Sequence, residues 1–279
     1  MLGGTLSTVR RLPAEIREEA ATGWGIRNGS LVDALVVMPF AGALVVIAAW
    51  GYRPVFHLLT REDHILEWLQ FAGFAGATGL GAAIAVALWR SGRRPLGVLY
   101  AAFALGCFFI AGEEISWGQR ILGYGTPQDI ERVNHQGAVT VHNIGGFSQA
   151  FNGVMLVIGA YGALAPWLLR RSARPLPREL TALVVPALFL TPAFLMLFAY
   201  KALRFTAFPD PRAAVVSFGE WPEFCLAYAL VTFALLTERR VRAGRPAPAP
   251  GVGQALAAPY SRRSPGASPR PSESRSSAT

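Results

Sequence analysis

Six apolar stretches, each of about 20 residues, constrain the fold of this chain more than any other feature. A helix rises about 1.5 Å per residue, so about 20 residues cross the ~30 Å hydrocarbon core of a bilayer. Only 15% of the residues are charged, against about 25% in an average soluble domain. The sequence therefore predicts an all-α integral membrane bundle with the spans Leu31–Trp50, Ile65–Trp89, Leu96–Ile115, Phe151–Leu169, Leu180–Tyr200 and Ser217–Leu236.

The distribution of positive charge predicts the orientation of these spans. The net charge is +9, and 19 of the 26 Lys and Arg residues lie in segments on the same side as the N-terminus: 1–30, 90–95, 170–179 and 237–279. Lys and Arg concentrate in cytoplasmic loops, so both termini are predicted to be cytoplasmic. The positive charge is thereby assigned to membrane topology, and nucleic acid binding is not expected. Tryptophans at or near the span ends agree with an interfacial aromatic belt.

Composition also indicates the source and the compartment. Lys201 is the single lysine against 25 arginines, and Ala, Gly and Pro are abundant, which is typical of a GC-rich bacterial genome. The predicted location is therefore the bacterial inner (cytoplasmic) membrane. Cys107 and Cys225 both fall inside predicted spans, where they act as small buried apolar residues rather than as a disulfide framework. A cleavable signal peptide is not expected, and the first span would direct insertion.

The chain divides into three parts. Residues 1–30 form a cytoplasmic N-terminal segment with a short polar helix from Pro13, and residues 31–242 form the membrane domain, whose outer loop 116–150 carries most of the polar sequence. Residues 243–279 are rich in Pro, Ala, Ser, Gly and Arg, and are predicted to be a disordered cytoplasmic tail because they cannot bury enough apolar surface.

Small residues and prolines predict details of helix packing. Gly73, Ala77 and Gly81 recur at four-residue spacing in span two, which lets another helix approach closely. We expect an intramolecular seam there rather than a dimer face. Pro186 and Pro192 in span five each remove a backbone donor and permit a kink.

Two adjacent carboxylates, Glu113 and Glu114, end the third predicted span and mark the first place to look for function. A charge at the centre of a membrane helix costs about 2.5–3.5 kcal/mol on insertion scales, so such residues persist where they pair, bind an ion or face water. Adjacent helical residues point about 100° apart, so one is expected to face the bundle and the other water. If the helix continues to about Gly123, Arg120 lies beside Glu113. The alternative is that the two acids have no function and that the pair forms only a salt bridge with Arg120 at the membrane interface.

The groups that supply acid–base catalysis and metal ligands concentrate on the predicted outer side. All four histidines and ten of the seventeen acids lie in outer loops or at outer span ends. Glu114, His142 and Glu223 could meet there and hold a divalent metal such as zinc, with an open position for water. Glu220 and Glu223 equally suit the ordinary start of a helix, because acids in the first turn complement the helix dipole.

One polar stretch resembles a signature of a family of uncharacterised bacterial multi-pass membrane proteins. Its members read Glu-Glu-Ile-Ser-Trp-Gly-Gln-Arg, then Thr-Pro, Asn-x-Gln and His-Asn at similar spacing. The matching residues here are Gly112-Glu-Glu-Ile-Ser-Trp-Gly-Gln-Arg-Ile-Leu-Gly123, Thr126-Pro127, Asn134-His-Gln-Gly137 and His142-Asn-Ile144. The resemblance covers about thirty residues and implies homology and a membrane location; it brings no activity with it.

The leading functional hypothesis is an outward-facing polar site, acting as a metal-assisted hydrolase or transferase on a lipid or lipid-linked substrate. A proton- or cation-coupled transporter and a non-catalytic structural or partner-binding protein are the alternatives, so enzymatic activity stays open. Apolar central turns and the lack of an internal repeat disfavour transport. The predicted roles are ligand or general base for Glu113 or Glu114, ligand for His142, and substrate contact for Gln119, Arg120 and Asn143.

Overall fold

The computed structural model describes residues 2–60, 65–127, 139–140, 145–172, 176–208 and 213–244. Within these ranges the chain forms helices and no strand, which confirms the predicted all-α class. Most of the predicted tail and much of the predicted outer loop lie outside them. The helices are α1 Leu2–Trp24, α2 Gly29–Ala49, α3 Arg53–Thr60, α4 Ile65–Arg90, α5 Arg94–Glu114, α6 Gln119–Leu122, α7 Gly145–Arg171, α8 Arg178–Val184, α9 Thr191–Thr206, α10 Ala213–Phe218 and α11 Glu220–Arg242.

Five segments are long and apolar enough to cross a membrane, which confirms a multi-pass membrane protein. The sixth predicted span corresponds to α11, which is long enough at 23 residues but is not one of the five. Glu220 and Glu223 at its start and Glu238 near its end interrupt its apolar run. The five segments are Gly29–Ala49, Arg53–Arg90, Arg94–Glu114, Phe147–Leu169 and Glu179–Thr206. The second includes residues 61–64, which are outside the described ranges, and the fifth contains a break between two helices.

The N-terminal helix α1 is longer than the predicted polar helix and packs onto the bundle. Ile16 and Ala20 are buried in the main apolar core, and Trp24 makes an edge contact with Phe233 of α11. The Arg240 guanidinium lies 3.9 Å from the centre of the Trp24 ring. Residues 1–30 therefore contribute to the core as well as to the surface.

The small residues of α4 allow close intramolecular contacts, as predicted, but with two neighbouring helices rather than along one seam. The helix packs along α5 on one side and along α11 on the other. A Cβ atom added to Gly73 would lie 3.0 Å from the Cβ of Ala227, and one added to Gly81 would lie 3.2 Å from the Cβ of Ala104. Ala77, between them, is buried. The absence of side chains at these positions allows the close helix contacts that place α5 and α11 around α4.

The fifth predicted span, Leu180–Tyr200, is broken rather than continuous. Helix α8 ends at Val184, and α9 begins seven residues later. Pro186 accounts for the break because it lacks an N–H and its ring would clash with the carbonyl of Ala182 in a continuous helix. Pro192 lies in the first turn of α9, where a missing N–H is tolerated.

Side chains from other helices satisfy the backbone groups at this break. The carboxylate of Glu19 in α1 accepts the N–H of Leu188 at 3.2 Å. An unsatisfied backbone group costs several kcal/mol in hydrocarbon, so these bonds hold the broken segment inside the assembled bundle. Three carbonyls at the end of α8 accept hydrogen bonds from side chains. Arg240 donates to Ala182, Tyr100 donates to Leu183 at 2.5 Å, and Tyr161 donates to Val184 at 2.6 Å.

Candidate functional site

The predicted acidic pair lies at one end of the bundle, where α5 ends and α11 begins; we call this the motif end. Glu113 is only 2% exposed and accepts a hydrogen bond of 2.5 Å from the indole N–H of Trp117. Glu114 is half-buried. The two side chains therefore differ in environment, and Glu113 is the one that faces the bundle.

A left-handed turn follows Glu114, so the helix ends close to the predicted end of the third span at Ile115 and does not continue to Gly123. Ser116, Trp117 and Gly118 have φ values of 48°, 54° and 88°. A left-handed conformation costs about 1–2 kcal/mol for a residue other than glycine. The reversal carries Trp117 back over α5, where its ring packs against Gly112: an added Cβ there would lie 2.9 Å from the indole.

Contacts of Trp117 offset this strain. Its ring makes edge contacts with Phe108 and Phe109, at centroid distances of 6.0 and 5.7 Å. Its indole N–H satisfies one carboxylate oxygen of Glu113. The stretch Glu-Glu-Ile-Ser-Trp thus forms a compact unit in which a tryptophan closes over a buried acid.

Gln119 stabilises the segment after this turn through two hydrogen bonds. Its amide nitrogen donates to Thr126 Oγ1 at 2.8 Å, and its amide oxygen accepts the N–H of Val139 at 2.8 Å. The predicted substrate contact of Gln119 stays a prediction, and its amide already has two partners within the protein. Of the other predicted residues, the Arg120 side chain, His142 and Asn143 lie outside the described residues.

A second cluster at the motif end was missed in the sequence analysis. The ammonium of Lys201 in α9 lies 2.7 Å from Glu223 Oε1 of α11 and 2.6 Å from Asn152 Oδ1 of α7. Lys201 is only 3% exposed. The available signal was that this single lysine directly follows a predicted span, in a chain that otherwise uses arginine.

A further buried contact joins α4 to the start of α11. The amide nitrogen of Gln70, a residue with 0% exposure, donates to Glu220 Oε2 at 2.9 Å and to the backbone carbonyl of Glu220 at 3.1 Å. Gln70, Asn152, Lys201, Glu220 and Glu223 are called the polar layer below. They come from four different helices.

The polar layer lies between the helices, with Gln70 and Lys201 buried and its other three residues half-buried. Trp221, next to Glu220, donates its indole N–H at 2.8 Å to the carbonyl of Pro39, which lies at the centre of α2. Helix register also brings the acidic pair to this level. Gly81 faces Ala104 in the antiparallel pair α4 and α5, so Gln70, eleven residues before Gly81, lies level with the end of α5.

The described residues contain no group of three or more His, Cys, Asp or Glu side chains placed to hold a metal ion. The predicted set of Glu114, His142 and Glu223 includes a residue outside them, so this set stays a prediction. Within it, the Glu223 carboxylate already binds the ammonium of Lys201.

An apolar cleft of about 600 Å³ separates α5 from α7. Helix α5 packs on α4, and α7 packs on α9, so the cleft lies between two helix pairs. Gly106 and Phe109 line one wall, Phe151 and Val154 line the other, and Pro186 at the helix break closes one end. Val154 and Phe147 are exposed apolar side chains, as expected for a cleft that opens sideways into lipid.

The fold and these features define the class: a multi-pass α-helical membrane protein with a buried polar layer and a lateral apolar cleft. No family model, no curated protein and no solved structure matches this chain.

Proposed function

We propose that this protein binds a lipid or lipid-linked molecule, with its apolar chain in the cleft between α5 and α7 and its polar head at the motif end. The cleft is the observation that carries the proposal. Its volume of about 600 Å³ falls within the ~300–1,000 Å³ usual for small-molecule sites. Its walls are almost entirely apolar, which suits an acyl or isoprenoid chain.

The polar atoms at the cleft support an apolar occupant. Tyr100 and Tyr161 line the cleft, but their hydroxyls donate to the carbonyls of Leu183 and Val184. The hydroxyl protons of Tyr100 and Tyr161 are therefore not available to a ligand in the cleft. A ligand in the cleft gains mainly from apolar contact, at about 0.8 kcal/mol per buried methylene.

Aromatic contacts connect the cleft with the motif end. Phe109 lines the cleft, lies 5.7 Å from the Trp117 ring and lies 6.5 Å from the Phe151 ring. A chain in the cleft would bring its polar head close to Trp117 and the acidic pair. Glu113 or Glu114 then acts as general base or metal ligand in a hydrolase or transferase reaction on that head group.

The charge distribution supports placing the motif end at the outer face of the bacterial cytoplasmic membrane. Arg90, Arg93 and Arg94 lie at the other end of α4 and α5, and Lys and Arg mark cytoplasmic loops. A molecule held in the cleft would therefore present its head on the outer side.

Filling the cleft tests the binding proposal. A Cβ on Gly106 meets nothing within 4 Å, so Gly106→Leu places a side chain in the cleft without a clash. Losing contact with two or three methylenes costs about 2 kcal/mol, or roughly a tenfold to thirtyfold loss in affinity. With phosphatidylglycerol carrying a photoreactive acyl chain, we expect cross-links to Phe109 and Val154 in the wild type and about tenfold fewer in the variant.

Gly79→Leu is the matched control. Gly79 is an exposed glycine in α4 that also meets nothing within 4 Å, and it does not line the cleft. We expect this variant to cross-link like the wild type. Equal labelling of both variants, or labelling spread over all lipid-facing helices, would refute a lipid site in the cleft.

Metal analysis tests the chemical part of the proposal. The detergent-purified protein is expected to contain close to one zinc or manganese ion, because a carboxylate and an imidazole supply suitable ligands. The metal should be lost in Glu114→Gln and in His142→Ala and retained in Glu18→Gln, which removes an exposed acid of α1. A folded wild type without metal would rule out a metal-assisted step.

A further inference from the structure

The contact between Gln70 and Glu220 leaves one buried polar atom unused. The amide nitrogen of Gln70 is shared between Glu220 Oε2 and the Glu220 backbone carbonyl. The amide oxygen of Gln70 has no hydrogen-bond partner among the described residues, although the residue is completely buried. A buried acceptor without a donor costs about 1–3 kcal/mol, so this position calls for a donor.

The orientation of this amide is fixed by its surroundings. The backbone carbonyl of Glu220, 3.1 Å from the amide nitrogen, can only accept a hydrogen bond, so exchanging the nitrogen and oxygen of the Gln70 side chain would place two acceptors together. The unused atom is therefore an acceptor. It belongs to the same planar group as the nitrogen that already binds Glu220.

The charges around Glu220 do not balance. On α11, Glu223 lies 2.7 Å from the ammonium of Lys201 on α9, and these two neutralise each other. On α4, Glu67 adds a further negative charge that acts on Glu220. Arg204 of α9 interacts with Tyr200, and α2 contributes the uncharged carbonyl of Pro39 at Trp221. Lys201 also acts on Glu220, but the ion pair that its ammonium forms is with Glu223, so Glu220 has no ion pair of its own among the described residues.

We propose that Glu220 binds an exchangeable proton, and that the protonated carboxyl donates its O–H to the amide oxygen of Gln70. A carboxylic acid offers one donor and one acceptor, which complements a primary amide: the amide N–H binds one carboxyl oxygen, and the carboxyl O–H binds the amide oxygen. The proton supplies the missing donor and removes the unpaired charge in one step. Releasing it leaves a carboxylate beside Glu67 and Glu223.

This proton site rests on different residues from the lipid site, so either one can fail without the other. Ionisable residues inside a membrane domain mark proton relays and ion pathways. Within the bundle, proton binding at Glu220 provides what a proton-coupled carrier needs. It therefore strengthens the transport alternative to a purely lipid-handling role.

Infrared difference spectroscopy of the full chain in lipid nanodiscs tests the proposal. Between acidic and alkaline buffer, the wild type is expected to show a protonated-carboxyl carbonyl band that shifts in D₂O. The band should be absent in Glu220→Gln and unchanged in Glu18→Gln. In Gln70→Leu the band should persist and move to higher frequency, because the acceptor for the O–H is gone. This shift does not depend on Glu220→Gln folding well.

Two results would overturn the proposal. If the band is missing from the wild type, Glu220 does not bind the proton, and a thermal midpoint that Na⁺ raises in the wild type but not in Glu220→Gln would identify a metal cation in its place. If the band persists in Glu220→Gln, another acid carries the proton.

Discussion

Replacing Lys201 with methionine is expected to lower the free energy of unfolding by about 3 kcal/mol, the largest loss expected for any ion pair among the described residues. The substitution keeps the length of the side chain and removes the ammonium that binds Glu223 at 2.7 Å and Asn152 at 2.6 Å. Removing one partner of a buried ion pair costs about 3–5 kcal/mol, because it leaves an uncompensated buried charge. Glu223 keeps 23% exposure of its side chain, so we expect the lower end of that range.

Denaturant unfolding in detergent, followed by circular dichroism, measures this loss. Arg93→Met is the matched control, since it breaks the exposed ion pair of Arg93 with Glu179, and exposed pairs contribute about 0.2–1 kcal/mol. The double variant Lys201→Met/Glu223→Gln should recover much of the loss, because it removes both charges. A Lys201→Met variant no less stable than Arg93→Met would show that the pair does not hold α9 and α11 together.

The sequence predicts the class and most of the spans because the bilayer imposes a simple rule. A helix must be apolar for about 20 residues to cross it, and that run is visible in the sequence without any tertiary knowledge. The close packing at Gly73, Ala77 and Gly81 was predictable for a similar reason, since small residues at four-residue spacing let another helix approach closely. These features depend on local sequence alone.

The polar layer was not predictable in the same way. Lys201 contacts residues 22 and 49 positions away in the chain, and such contacts depend on how each helix is rotated about its axis. Hydropathy places Lys201 at the end of a span, whereas the structure buries it. The acids Glu220 and Glu223 were identified, but their partners were not.

The breaks in the helices show a second limit of sequence analysis. Pro186 predicted a kink, but the bonds that stabilise the break come from α1, α5, α7 and α11. The turn at Ser116 and Trp117 gave a weaker signal, because neither residue favours a left-handed conformation. Hydropathy placed the end of the span at Ile115, but it gave no sign of the left-handed reversal that follows.

The two proposed sites meet at α7. Phe151 lines the apolar cleft, while the next residue, Asn152, binds Lys201 in the polar layer. Adjacent residues on a helix point about 100° apart, so α7 presents one side to the cleft and another to the buried charges. A shift of α7 relative to α9 would therefore move Asn152 relative to Lys201.

Substituting Gly42 with alanine is expected to lower the free energy of unfolding by about 2–4 kcal/mol. A Cβ at this position in α2 would overlap the six-membered ring of Trp221. The ring cannot move aside freely, because its N–H donates to the carbonyl of Pro39 at 2.8 Å. Overpacking costs about 1–3 kcal/mol, and losing a buried hydrogen bond adds about 1 kcal/mol.

Gly79→Ala is expected to raise the free energy of unfolding, whereas Gly42→Ala is expected to lower it. Gly79 lies in a helix and meets nothing within 4 Å, and alanine in a helix is favoured over glycine by about 0.5–1 kcal/mol. A double-mutant cycle of Gly42→Ala with Trp221→Leu identifies the cause: if the clash with the ring is responsible, the loss caused by Gly42→Ala should largely vanish once the ring is removed. An undiminished loss in the Trp221→Leu background would mean that α2 and α11 pack differently near Glu220.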